Sequence, residues 1–124
     1  MSEQRGGDLR DRTKAFALAV IRFVGTLPQT QTTSIIGKQV LRSATSVGAN
    51  YRAARRARSI VEFIAKLGIV EEEIDECAYW LELLQESNLV PREHIAPLYT
   101  EANELTAIIV ASTNSAKQRR TGPP

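Results

Sequence analysis

From Arg42 to Ala54 the chain reads Arg-Ser-Ala-Thr-Ser-Val-Gly-Ala-Asn-Tyr-Arg-Ala-Ala, a segment with helical spacing and an unusual density of small and polar side chains. A helix that buries a single face has no need of so many. Small residues on several faces let neighbouring backbones approach closely, so this helix is expected to pack on more than one side, which points towards assembly. Its core stripe would be Ile36, Val40, Ser43 or Ala44, Val47, Tyr51 and Ala54. Gly37 and Gly48 each cost such a helix about 1 kcal/mol relative to alanine, a cost that makes sense where another backbone comes close.

Three more helices follow from period and punctuation. The first runs from about Asp8 to Thr26, with Phe16, Ala19, Val20, Phe23 and Leu27 at three- and four-residue steps, and Leu27-Pro28 ends it. A polar connection, Gln29 to Thr33, leads to the second helix, whose N-cap is expected at Thr32, Thr33 or Ser34. Ser59-Ile60-Val61-Glu62 has the form of a capping box and opens a third helix, with Ile60, Phe63, Ile64, Leu67, Val70, Ile74, Cys77, Leu81 and Leu84 down one side. Ile69, Glu73, Glu76, Trp80 and Leu83 form an adjoining stripe, and the helix stops near Ser87-Asn88. Pro91 suits the first turn of a fourth helix carrying Ile95, Leu98, Ala102, Leu105, Ile108 and Ile109, with Pro97 either shifting its start or kinking its first turns.

No segment sustains a period of two, so no sheet is expected. Short connections favour antiparallel neighbours, and the fold class is all-α, an antiparallel up-down-up-down four-helix bundle. Residues 8–114 would form this domain, with a flexible N-terminus over 1–7 and a disordered basic tail over 115–124. If the second and third helices reverse near Arg58 and Ser59, residues whose numbers sum to about 117 face each other. Arg42 then lies near Asp75, within one turn of Glu73 and Glu76, while Asn50 lies near Leu67 and Ser46 near Glu71.

Charge is segregated by helix, although the net charge is only +2. Between Thr32 and Ser59 the charged residues are Lys38, Arg42, Arg52, Arg55, Arg56 and Arg58, all basic. Between Ile60 and Ser87 they are Glu62, Glu71, Glu72, Glu73, Asp75, Glu76, Glu82 and Glu86, against Lys66 alone. Opposite signs favour placing these segments side by side. Apolar runs such as Ala15 to Ile21 fall short of the roughly 20 residues of a membrane span, and no apolar signal segment follows Met1, so a cytoplasmic protein is expected.

Several classes of chemistry have little support. Cys77 is the single cysteine and sits on an apolar stripe, as a small buried hydrophobe would. His94 is the single histidine, and the third helix has no Glu-x-x-His step of the kind a di-metal bundle uses. Ser43 and Ser46 have no histidine or lysine placed to activate them, and there is no phosphate-cradling glycine loop. No catalytic residue, metal ligand or cofactor is therefore assigned. Arg42 with Glu73 and Glu76 is read as a buried structural bridge between two helices or two subunits, grouped with Asn50 in one polar network, because a buried guanidinium needs carboxylates to fill its donors. Steps of three and four place Arg52, Arg55 and Arg56 on one helix face, with Arg58 close by, a patch able to neutralise phosphates.

Gln39-Val40-Leu41-Arg42-Ser43-Ala44-Thr45-Ser46-Val47-Gly48-Ala49-Asn50-Tyr51-Arg52, then Phe63-Ile64-Ala65-Lys66-Leu67, then Glu73, Glu76 and Tyr79-Trp80-Leu81-Glu82-Leu83-Leu84, carry a resemblance that spans nearly the whole domain. The sequence resembles the bacterial four-helix bundle proteins first associated with intervening sequences in 23S ribosomal RNA genes. The resemblance implies a homopentamer without enzymatic activity. It also implies kinship with the accessory proteins of diversity-generating retroelements, which bind nucleic acid and a reverse transcriptase. A common form of the pattern has a Glu shortly after the Asn, where this chain has Ala53 and Ala54. Glu71 and Glu72 replace apolar or basic residues.

The expected function is thus a homo-oligomeric, pentameric scaffold that binds RNA or DNA through Arg52, Arg55, Arg56 and Arg58. A protein-interaction adaptor ring without nucleic-acid binding is the main alternative. A metal-binding carboxylate bundle is a weaker one.

Overall fold

The computed structural model describes the backbone over residues 2–121 and side chains over 9–120. Four helices make up the described residues: α1 (Ser2–Gly25), α2 (Gln31–Arg55), α3 (Ile60–Glu86) and α4 (Arg92–Thr121). No described residue is in a strand. Consecutive helices pack side by side, α4 closes back on α1 along the thinnest of the four seams, and no diagonal pair meets among the described residues. This is the antiparallel up-down-up-down bundle.

The core is the union of four stripes. Phe16, Val20 and Phe23 of α1, Val40, Val47 and Tyr51 of α2, Leu67, Ile74 and Leu81 of α3, and Ile95, Leu105 and Ile109 of α4 are all buried. Burial of such side chains, at roughly 25 cal/mol per Å² of apolar surface, is what makes the bundle stable. At Gly48 the nearest neighbour is backbone, as expected, but not tightly packed: a Cβ there would lie 3.5 Å from the Thr13 carbonyl oxygen of α1, an ordinary contact. At Gly37 the neighbour is a side chain instead, Leu27 Cδ1, at 2.9 Å from such a Cβ. Val40 and Cys77, whose numbers sum to 117, touch across α2 and α3, with the thiol 3.9 Å from the Val40 carbonyl oxygen.

The ends of the helices differ from expectation in several places. The α2 N-cap is Thr30, two residues earlier than anticipated, and its box is made with Thr33. The Thr30 hydroxyl accepts from the Thr33 N–H, while Thr33 Oγ1 accepts from the Thr30 N–H and donates to the Pro28 carbonyl at 2.6 Å. Ser59 caps α3 by accepting from the Glu62 N–H, but the Glu62 carboxylate reaches the Arg58 N–H rather than that of Ser59, so the box is half made. Asn88, at φ 60°, takes the left-handed turn between α3 and α4. Pro97 lies inside α4, which begins at Arg92.

The anticipated loose ends are helical where the structure describes them. α1 begins at Ser2, and α4 continues through the proposed tail to Thr121. Ala116 is fully buried, and this tertiary contact outweighs the poor helix propensity of the Ser112 to Ser115 run. The remainder of the proposed tail, 122–124, and Met1 lie outside the described residues.

Candidate nucleic-acid interface

The bundle's parity decides which charges meet. An even number of antiparallel helices brings the start of α1, the end of α2, the start of α3 and the end of α4 to the same end. Arg52 and Arg55 stand in the last turn of α2, Arg58 follows it, and Lys66 lies in the second turn of α3. Arg119 and Arg120 stand in the last turn of α4.

Arg52, Arg56, Arg58 and Lys66 line one concavity of about 600 Å³ between α2 and α3, floored by Ala49 and Ala53. Glu62 is its one acidic residue, and that carboxylate accepts the Arg58 backbone N–H at 3.5 Å. Among the described residues no carboxylate lies within ion-pair distance of the Arg52, Arg56, Arg58 or Lys66 side chains. Four cations against one carboxylate, with no ion pair among them, leave the hollow with a net positive potential suited to phosphate.

Arg55 does not share that hollow. It turns to a second one of about 410 Å³, with Arg58, Arg119, Ile60 and Phe63. Burial pushes the Tyr51 phenol up, while Arg55, close by and hydrogen-bonded to it, pulls it down. The single face expected for Arg52, Arg55 and Arg56 is therefore split in two. Lys66 and Arg119 are missing from the patch that helical spacing within α2 suggests; the sum of 117 places Lys66 opposite Tyr51, a signal sufficient to add it.

The Arg42 bridge forms as expected in its partners but not in its burial. The guanidinium reaches Glu73 Oε1 at 3.4 Å and also hydrogen-bonds Glu76 Oε2. The Arg42 side chain is 45% exposed, so the network is a surface bridge, because the α2–α3 seam holds it at its rim. The indole N–H of Trp80 donates to Glu76 at 3.1 Å and, together with Arg42, holds that carboxyl below its ordinary value. Asn50 takes no part: its amide donates to the Ser46 carbonyl one turn back in the same helix, at 2.9 Å. With Glu73 and Glu76 committed to Arg42 and Trp80, no group of three or more His, Cys, Asp or Glu able to hold a metal occurs among the described residues.

Two further polar contacts have no signal in the sequence. Arg12 of α1 makes a two-pronged bond to Glu101 of α4, at 2.6 and 3.1 Å, and also reaches Glu104, latching the thin α1–α4 seam. Tyr99 donates to Glu82 at 2.8 Å between α4 and α3. No helix among the described residues is long and apolar enough to cross a membrane.

Comparison with known proteins bears on this geometry. Residues 8–111 match the family described as 23S rRNA-intervening sequence protein. A solved structure of a protein of unknown function from the S23 ribosomal protein family, from Bacteroides thetaiotaomicron, is 32% identical. The alignment covers 89% of this chain and 98% of that one, with a TM-score of 0.83. No curated protein matches the chain.

Proposed function

The chain belongs to the 23S rRNA-intervening sequence protein family, and on that footing we propose that it is a non-enzymatic, homo-oligomeric scaffold of the cytoplasm that binds nucleic acid through its basic end. The number of copies, five, is the one implied by the sequence resemblance. The observation that carries the reading is the hollow of Arg52, Arg56, Arg58 and Lys66, which has no side-chain ion pairs among the described residues. Repeated around a ring, it would present phosphates with a belt of positive charge.

The test is a salt-titrated binding assay with RNA and DNA, on protein whose assembled mass is known from light scattering. Affinity should fall steeply with salt, and Arg56→Glu with Arg58→Glu should abolish it. Binding unchanged in that double variant would remove the hollow from the mechanism.

A second reading, a protein adaptor ring with a partner such as a reverse transcriptase, draws on the exposed Ile69 and Tyr79 on α3. These apolar side chains near the Arg42 bridge suit a protein surface better than a phosphate. A ring of intact mass that binds no nucleic acid would favour it.

A further inference from the structure

The positive surface does not stop at the α2–α3 hollow. Ala49 and Arg52 line that hollow and also line another, of about 430 Å³, between α1 and α2, where the other cations are Arg10 and Lys14. The two hollows therefore adjoin across α2, where Gly48, Ala49 and Ala53 carry little or no side chain and Arg52 is shared by both.

Resting on the nucleic-acid reading above, we propose that these two adjoining hollows together bind the phosphate backbone of a double-stranded nucleic acid, laid across α2 from Lys66, Arg58 and Arg56, over Arg52, to Lys14 and Arg10. The span fits. Two interaxial steps of about 8–10 Å give a track of about 16–20 Å, and each strand of a duplex places a phosphate about every 3.4 Å of helix axis, so a duplex whose axis follows the track brings about five or six phosphates per strand past six cations.

The lining chooses the duplex over a single strand. Proteins that hold single strands stack bases on aromatic side chains, and neither hollow has an aromatic residue in its lining. Phe63, in the neighbouring hollow with Arg55 and Arg119, is half-buried against the core and lies outside the track. A surface of cations and small residues can read only the backbone, which a duplex presents on its outside with its bases turned inward. Asp11 and Glu62, one in each hollow, would lie beside the backbone and help fix its path by repulsion.

The experiment uses the full chain and fluorescence anisotropy with 20-base-pair RNA and DNA duplexes and their separate strands, between 50 and 200 mM salt. Both duplexes should bind at least tenfold tighter than their strands. For the DNA duplex, log Kd should change with log salt with a slope near 5, about 0.9 for each of six contacts. Arg10→Ala with Lys14→Ala should weaken duplex binding at least tenfold at the lowest salt and reduce that slope by about two. Arg22→Ala, an exposed cation of α1 at the opposite end of the bundle, should change neither. Circular dichroism on each variant separates lost contacts from lost fold. Strands that bind as tightly as duplexes would overturn the proposal, as would an α1 double variant that binds normally while Arg56→Glu with Arg58→Glu does not. Those results would leave the basic-end reading standing, whereas a wild-type ring that binds none of the four probes would overturn both.

Discussion

Alanine substitution of three helical glycines tests the packing of α2 and α3 directly, because the structure gives each different surroundings. In a helix interior, glycine costs about 0.8–1 kcal/mol relative to alanine, so Gly→Ala stabilises wherever the new methyl has room. At Gly68 of α3 a Cβ would meet nothing within 4 Å, so the whole gain should appear. For a chain of this size that is a rise in melting temperature of about 3–5 °C. At Gly48 the nearest atom is the Thr13 carbonyl oxygen at 3.5 Å, an ordinary contact, and most of the gain should survive. At Gly37 the Cβ would fall 2.9 Å from Leu27 Cδ1. That methyl is the end of a buried side chain, so Leu27 must move to admit the Cβ, and the cost of moving it should cancel much or all of the gain. Thermal melts by circular dichroism give the order: Gly68→Ala at or above Gly48→Ala, and both well above Gly37→Ala. If Gly37→Ala proved the most stabilising, the close packing of Leu27 on α2 would be refuted. If Gly68→Ala lowered stability, another copy must cover a surface that is open in the single chain.

Three other predictions rest on single contacts. Glu101→Gln should cost about 1 kcal/mol in urea denaturation, the upper end for a partly exposed pair, and the loss should shrink in high salt; a salt-independent loss would mean packing, not charge, holds the α1–α4 seam. Arg42→Ala should leave the melting temperature nearly unchanged, since the bridge is exposed, and a large fall that tracks protein concentration would show the bridge lies buried between copies. Burial pushes the Cys77 thiol up from 9.0 to about 11, so the native thiol should resist alkylation at pH 8 and react only in denaturant. Because the folded value is the higher one, its stabilising contribution is complete below about pH 9 and is lost as pH rises towards 11; rapid native labelling at pH 8 would refute this.

The register of α2 against α3 is legible in the sequence because both helices are long, their stripes are clear and the turn between them, 56–59, is short. That is why hydrophobic period and turn position suffice to set Arg42 opposite Asp75, within one turn of its partners Glu73 and Glu76. Its exposure is not legible, since periodicity fixes the angle of a residue around a helix but not how far the seam closes over it. Asn50 fails for a related reason: a local carbonyl, that of Ser46, satisfies its amide without a partner helix. The Arg12–Glu101 latch needs the α1–α4 register, which no single turn sets because those helices are far apart in sequence. The end of α4 escapes a reading by composition because Ala116 is small and lies among polar residues, and only the assembled bundle reveals that it is buried.

Helix electrostatics supply a competing account of the basic end, and it accounts for only part of it. The last turn of a helix carries partial negative charge, so arginines there are stabilising. Arg52 and Arg55 at the end of α2, and Arg119 and Arg120 at the end of α4, meet that description. Arg10, Lys14 and Lys66 do not. They belong to α1 and α3, whose N-terminal ends face this side of the bundle, and they stand beyond the first turn, where the dipole has faded. Crowding these three beside Arg52, Arg56 and Arg58 raises like-charge repulsion with no compensating ion pair among the described residues. Stability of the single chain gives no reason for that arrangement, whereas a polyanion lying across α2 does, and these three residues are the ones that separate the two accounts. Neutralising all three should raise the melting temperature of the free protein slightly while weakening its grip on a duplex, a trade-off the dipole account does not predict.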